Sequence, residues 1–123
     1  MKSINTTAQK QFGTNGENIA VNYLIDKGYT ILKRNYKYSY NEIDIICKKG
    51  RFLVFVEVKT RSSNDFGFPE NHVSKKQINN ITNAAIHYMD TYNTSNYLVR
   101  YDIISITYTT HAIDIKHIED AFY

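Results

Sequence analysis

Tryptophan is absent from these 123 residues, proline and cysteine occur once each, and glycine only five times. The lone cysteine, Cys47, excludes an intrachain disulfide and a cysteine-built zinc site, and favours a reducing, cytoplasmic setting. No run approaches the ~20 apolar residues of a membrane span. The start, Met1-Lys2-Ser3-Ile4-Asn5-Thr6-Thr7, has no apolar signal region, so no membrane partner is expected. Charge of one sign is also in short supply. A net charge of +3 permits a nucleic-acid partner without demanding one, because dedicated binders run more basic. With no repeat, low-complexity tract or linker, residues 1–123 read as a single domain large enough to bury a core.

Aromatic rings are plentiful instead: eleven tyrosines and six phenylalanines. Tyr36, Tyr38 and Tyr40 alternate along one segment, as a base-stacking platform or, more commonly, a cross-strand packing ladder. Hydrophobic periodicity predicts a helix over about residues 15–27, with Ala20, Val21 and Leu24 on one face and Gly28 as its C-terminal glycine. Strands follow at about 29–39, 41–48 and 51–60, the last two joined by a turn at Lys48-Lys49-Gly50. The third is apolar on both faces and therefore central. A connection over about 61–73 holds Phe66-Gly67-Phe68-Pro69, a length that is often functional. Ser74-Lys75-Lys76-Gln77 has the form of a capping box opening a helix to about Tyr92, and strands at 97–108 and 112–118 close the chain. The order α-β-β-β-α-β-β implies an α/β fold: a mixed sheet of about five strands with helices packed on it.

Two strands carry charge where core-facing side chains belong. Asn41-Glu42-Ile43-Asp44-Ile45-Ile46 and Phe55-Val56-Glu57-Val58-Lys59-Thr60-Arg61 are otherwise apolar, and buried charge costs several kcal/mol unless compensated. Strict alternation puts Glu42, Asp44 and Ile46 on one face, with Ile43, Ile45 and Cys47 on the other, and gives Leu53, Phe55, Glu57 and Lys59 a common face. A hairpin through Gly50 then opposes Asp44 to about Glu57. Converging carboxylates favour a shared proton or a divalent cation, and oxygen ligands of this kind suit Mg²⁺ or Mn²⁺. Lys59 would lie beside the cation, its ammonium holding a nucleophile or offsetting phosphate charge. The competing reading is a surface salt-bridge cluster worth about 0–1 kcal/mol, and on these residues alone the two stand even.

Glu17 continues the stripe of Ala20, Val21 and Leu24, where it would supply a third carboxylate. Thr14-Asn15-Gly16-Glu17 also matches a capping box, and on pattern alone the cap takes precedence.

Taken together, these blocks resemble the YraN-type bacterial proteins over about Gly13 to Ile106. The resemblance rests on Gly16-Glu17-Asn18-Ile19-Ala20 with Tyr23-Leu24, and on Gly28-Tyr29-Thr30-Ile31-Leu32 with Arg34-Asn35. It continues through the two charged strands, Phe66-Gly67-Phe68-Pro69 and Arg100-Tyr101-Asp102. It implies a restriction-endonuclease-like, three-layer α/β/α fold of the PD-(D/E)xK nuclease superfamily, similar to archaeal Holliday-junction resolvases. By that resemblance Glu17, Asp44 and Glu57 are metal ligands and Lys59 is the catalytic lysine. Asn41 stands where the family usually has glycine; asparagine also tolerates a left-handed turn conformation.

Arg34, Arg61, Lys75 and Lys76 flank this centre as candidate phosphate contacts, against a solvated basic face for each taken singly. Arg100 and Asp102 share a strand face, either supporting the centre or pairing with one another. His72, His87, His111 and His117 show no metal-ligand spacing. The expectation is a Mg²⁺- or Mn²⁺-dependent endonuclease acting on DNA, branched or single-stranded, with no small-molecule cofactor. Its competitors are a non-catalytic nucleic-acid-binding or adaptor protein that keeps the fold, and a protein–protein module. Resolving enzymes cut two strands symmetrically, so a homodimer is one of the states left open.

Overall fold

Phe52–Ser62 forms the strand about which everything else is arranged, because its Leu53–Val56 stretch is buried on both faces. The computed structural model describes residues 4–62 and 73–122, with side chains from residue 15 onward among them. The elements are α1 (Ile4–Asp26), β1 (Thr30–Tyr38), β2 (Asn41–Lys49), β3 (Phe52–Ser62), α2 (Lys75–Thr91), β4 (Leu98–Tyr108) and β5 (Ile113–Ile118). They make one sheet in the order β1-β2-β3-β4-β5, antiparallel except for the parallel β3–β4 pair. A parallel pair needs a crossover, and α2 supplies it.

Each face of the sheet carries its own core. Ala20 and Leu24 of α1 pack with Tyr29, Ile45, Cys47, Val54, Val56, Ile104 and Ile106. Ile81, Ala84, Ala85 and Tyr88 of α2 pack with Tyr36, Ile43, Ile46, Leu53, Phe55 and Tyr101 on the opposite face. The result is the expected three-layer α/β/α arrangement. Cys47 is a fully buried free thiol in the α1 layer, and burial pushes its pKa up to about 12. Among the described residues no helix is long and apolar enough to cross a membrane.

Local signals account for several boundaries. Gly28 closes α1 in a left-handed conformation (φ 94°), with Tyr29 N donating to the Leu24 carbonyl at 2.9 Å. Gly50 (φ 58°) begins the two-residue turn that joins Lys49 to its partner Phe52. At α2 both bonds of the capping box form: Gln77 N donates to Ser74 Oγ and Ser74 N to Gln77 Oε1, each at 3.1 Å.

Three expectations are corrected. Helix α1 begins at Ile4, about three turns before the predicted start, so Glu17 lies inside the helix and cannot cap it. Gly16 has a packing role there instead. It sits so tightly on the Thr60 side chain of β3 that a Cβ would collide with it. The strict alternation assigned to β2 also fails: Ile43 joins Ile46 on the α2 face, while Ile45 and Cys47 face α1. The break lies between the Arg34↔Ile45 and Tyr36↔Ile43 pairs, where Asn35 adopts a left-handed φ of 53° opposite Asp44. Asn41 is not left-handed; Ser39 (φ 59°) takes that conformation at the β1–β2 turn. Phe66-Gly67-Phe68-Pro69 and His72 lie outside the described residues.

Candidate metal and phosphate centre

The pairing of β2 with β3 runs from Lys49↔Phe52 to Ile45↔Val56 and stops there. One more step would set Asp44 against Glu57, as the alternation pattern predicts. The strands part at that step, and β3 continues in company with β4 alone. Parting leaves the Val58 N–H without a strand partner, and Asp44 Oδ2 accepts it at 2.8 Å. The Asp44 carboxyl is thereby fixed at the point where the sheet opens.

Glu57 shares the Leu53–Phe55 face of β3 and lies beside Asp44, close enough for its carboxyl to favour a proton on Asp44. Burial raises the Asp44 pKa, and the neighbouring Glu57 charge raises it further; the Val58 N–H works against both. Lys59 Nζ stands 3.6 Å from Glu57 Oε2, with the lysine side chain 21% and the glutamate 16% exposed. An ion pair this sheltered is screened less than one on the surface. The carboxyls open into a cavity of about 220 Å³ lined by Tyr40, Glu42, Gln77, Asn80 and Ile81. Three acids, Glu42, Asp44 and Glu57, and two side-chain amides therefore line one space, with the Lys59 ammonium reaching its edge only through Glu57.

Glu17 approaches from α1. Burial raises its pKa, and the Asp44 charge adds to that, so the two carboxylates sense one another. Its nearest cation is Arg34, whose Nη2 is 3.7 Å from Glu17 Oε1 and donates to Asn18 Oδ1 at 2.7 Å. Glu17 is not among the residues lining the cavity. Among the described residues no three His, Cys, Asp or Glu side chains are grouped to hold a metal ion. The close pair is Asp44–Glu57. That pair fits a small hard cation, because Mg²⁺ is commonly held by one or two carboxylates and completes its shell with water and phosphate oxygens.

The basic candidates divide between the faces. Arg34 pairs in register with Ile45, on the α1 side, and is engaged by Glu17 and Asn18. Arg61 follows Lys59 two residues along β3 and is partly buried. Lys75 and Lys76 are exposed in the first turn of α2, next to Gln77 of the cavity wall. Glu42, Gln77 and Asn80 also line the site; the sequence marked Gln77 only as part of a capping box and gave no signal for Asn80. Glu42 shared the predicted face of Asp44, the one signal available for it.

Arg100 and Asp102 do not support this centre. In the parallel register they lie beside Val54 and Val56, on the α1 face, with the sheet between them and Glu57. Asp102 is fully buried and accepts from Arg100 Nε (2.9 Å), Arg100 Nη2 (2.8 Å), His117 Nε2 (2.7 Å) and Asp120 N (3.0 Å). Burial alone would raise its pKa, but the hydrogen bonds from His117 and Arg100 overcome burial and hold it below the usual carboxylate range. Arg100 Nη2 also donates to Tyr29 OH at 2.6 Å, and Tyr23 OH lies 3.1 Å from His117 Nδ1. His117 is partly buried and ties β5 to β4 and α1.

With that geometry in view, the likeness to known proteins is informative. The family described as "Uncharacterised protein family UPF0102" matches residues 16–106. A UPF0102 protein of Christiangramia forsetii is 43% identical over 113 residues, covering 92% of this chain and 94% of its own. One from Thermodesulfovibrio yellowstonii is 40% identical over 116 residues, covering 94% and 99%. One from Clostridium perfringens is 37% identical over 115 residues, covering 92% and 94%.

Proposed function

The chain belongs to the uncharacterised protein family UPF0102, and from that premise we propose that it is a metal-dependent endonuclease of the restriction-endonuclease-like superfamily, hydrolysing DNA phosphodiesters. The observation that carries the reading is the Asp44–Glu57 carboxyl pair beside Lys59, where two strands part over a polar cavity. A salt-bridge cluster built for stability would not set two acids against each other in a sheltered place. The resemblance to junction-resolving nucleases supports the same assignment and makes branched or single-stranded DNA the substrate class to try first.

A bound Mg²⁺ or Mn²⁺ would be held by Asp44 and Glu57, and would supply Lewis-acid polarisation of the phosphate and a more acidic water. Loss of the Asp44 proton frees both carboxylates for that role. Val58 N–H keeps Asp44 oriented. Lys59, positioned by Glu57, offsets the negative charge that builds on the phosphate oxygens as the entering water forms its bond and the bond to the leaving oxygen breaks. Gln77 and Asn80 offer amide donors across the cavity, and Lys75 and Lys76 place positive charge at its α2 rim. Glu17 belongs to the reading as an outer carboxylate that moves in only if Arg34 releases it. A cytoplasmic setting completes the proposal.

Labelled single-stranded and branched DNA should be cut in Mg²⁺ or Mn²⁺ and left intact in EDTA. Lys59→Ala should slow cutting about 10²- to 10³-fold, the scale of losing one charge-stabilising group. Salt-sensitive DNA binding without cleavage, indifferent to chelator, would instead identify a non-catalytic nucleic-acid-binding or adaptor protein.

A further inference from the structure

Tyr40 is 99% exposed and borders the cavity into which Asp44 and Glu57 open. It occupies a two-residue turn between the paired residues Tyr38 and Asn41, with Ser39 left-handed at φ 59°. The backbone is therefore held in the turn while the ring packs on none of the described residues. Tyr38 differs, since one of its ring faces is covered by His87 (centroids 3.9 Å apart, planes 12° apart). Tyr36 differs again, being buried against Tyr88.

The ring of Tyr40 borders two spaces. One is the cavity into which Asp44 and Glu57 open; the other, of about 210 Å³, is walled by Lys37, Ser39, Asn41 and Glu42. A strand crossing from the carboxylates toward Lys37 must pass it. A free aromatic face beside a phosphate site is worth most to a flat, unpaired base, because stacking needs a π-face and carries little sequence preference. In a continuous duplex those faces are already covered by neighbouring base pairs. We infer that Tyr40 stacks an unpaired base adjoining the phosphate at Asp44–Glu57, so that the site takes single-stranded or locally unpaired nucleic acid in preference to continuous duplex. Lys37 then faces the next stretch of backbone. The inference rests on the phosphodiesterase reading and narrows its substrate.

The absence of tryptophan makes this directly measurable. Tyr40→Trp installs a single reporter at the turn, and Tyr92→Trp a control at an exposed position at the far end of α2. Binding of end-labelled oligothymidylate is followed separately by anisotropy, in low salt with Ca²⁺ replacing Mg²⁺. Bound oligothymidylate should quench the Tyr40→Trp emission and leave Tyr92→Trp unchanged, while a blunt duplex quenches neither. Tyr40→Ala should weaken single-strand binding about tenfold or more, with Tyr40→Phe close to wild type and the thermal midpoint unmoved. Tight oligothymidylate binding with an unquenched reporter and a neutral Tyr40→Ala would overturn the stacking role and leave the phosphodiesterase reading standing. A lowered midpoint in Tyr40→Ala would assign the ring to the fold and overturn it as well. No binding of any oligonucleotide by the wild type at low salt would remove both.

Discussion

Asp44→Asn is expected to abolish cleavage and, in EDTA at alkaline pH, to make the protein more stable than wild type. The opposite signs follow from one geometry. In the folded chain burial and the adjacent Glu57 push the Asp44 pKa up to about 8 from an ordinary value of 3.8. Between those values the folded state keeps a proton that the unfolded state gives up, so metal-free stability falls as pH rises through that window. Above it the folded chain bears the full repulsion of two adjacent carboxylates. Asparagine is neutral throughout, can still accept the Val58 N–H, and can donate to Glu57. Unfolding in EDTA should therefore show the variant gaining on wild type from pH 5 to pH 9. Mg²⁺ should reverse the order at high pH by stabilising wild type alone, by about 2.7 kcal/mol at a hundred times its Kd. A variant less stable than wild type at pH 9 in EDTA would mean that Asp44 is held by compensating contacts and not by mutual repulsion with Glu57.

Asp102→Ala should cost about 3–5 kcal/mol, a large share of the stability of a domain this size. The loss strands Arg100, which is only 13% exposed, together with His117 and the Asp120 N–H. Urea unfolding at neutral pH reads the cost directly. Because the Asp102 pKa is depressed in the fold, its stabilisation is present above the ordinary carboxylate range and fades as pH falls through the depressed value. The penalty of the variant should shrink in acid accordingly. Residual activity of the folded fraction should be unchanged, since the sheet separates this cluster from Glu57. A cost below about 1 kcal/mol would reduce the network to surface-pair strength.

What could be read in advance depended on how local the determining signal was. The β2–β3 register was legible because Gly50 fixes the turn and Val54–Val56 can lie only in the centre of a sheet. The meeting of Asp44 and Glu57 follows from it. The capping box at Ser74–Gln77 formed as written, yet the same pattern at Thr14–Glu17 did not cap, because α1 already runs through it. What distinguishes Gly16 is its contact with Thr60, more than forty positions away along the chain. Strict alternation misled for Ile43, since the faces exchange in mid-strand beside the left-handed Asn35, whereas it held for Tyr36 and Tyr38, whose rings both lie against His87. Alternation also put Arg100 and Asp102 together correctly but could not say on which side of the sheet. That choice is made by the helix covering Val54 and Val56, a tertiary fact with no signature in the strand itself.

Crystals soaked in Mn²⁺ at pH 8 and read by anomalous scattering test the proposed centre most directly. The expected map has a peak within about 2.2 Å of a carboxylate oxygen from each of Asp44 and Glu57, displacing the Asp44 proton, with Lys59 alongside. A blank map at that position under high Mn²⁺, with the two carboxyls still side by side, would contradict the assignment of a metal-dependent nuclease centre.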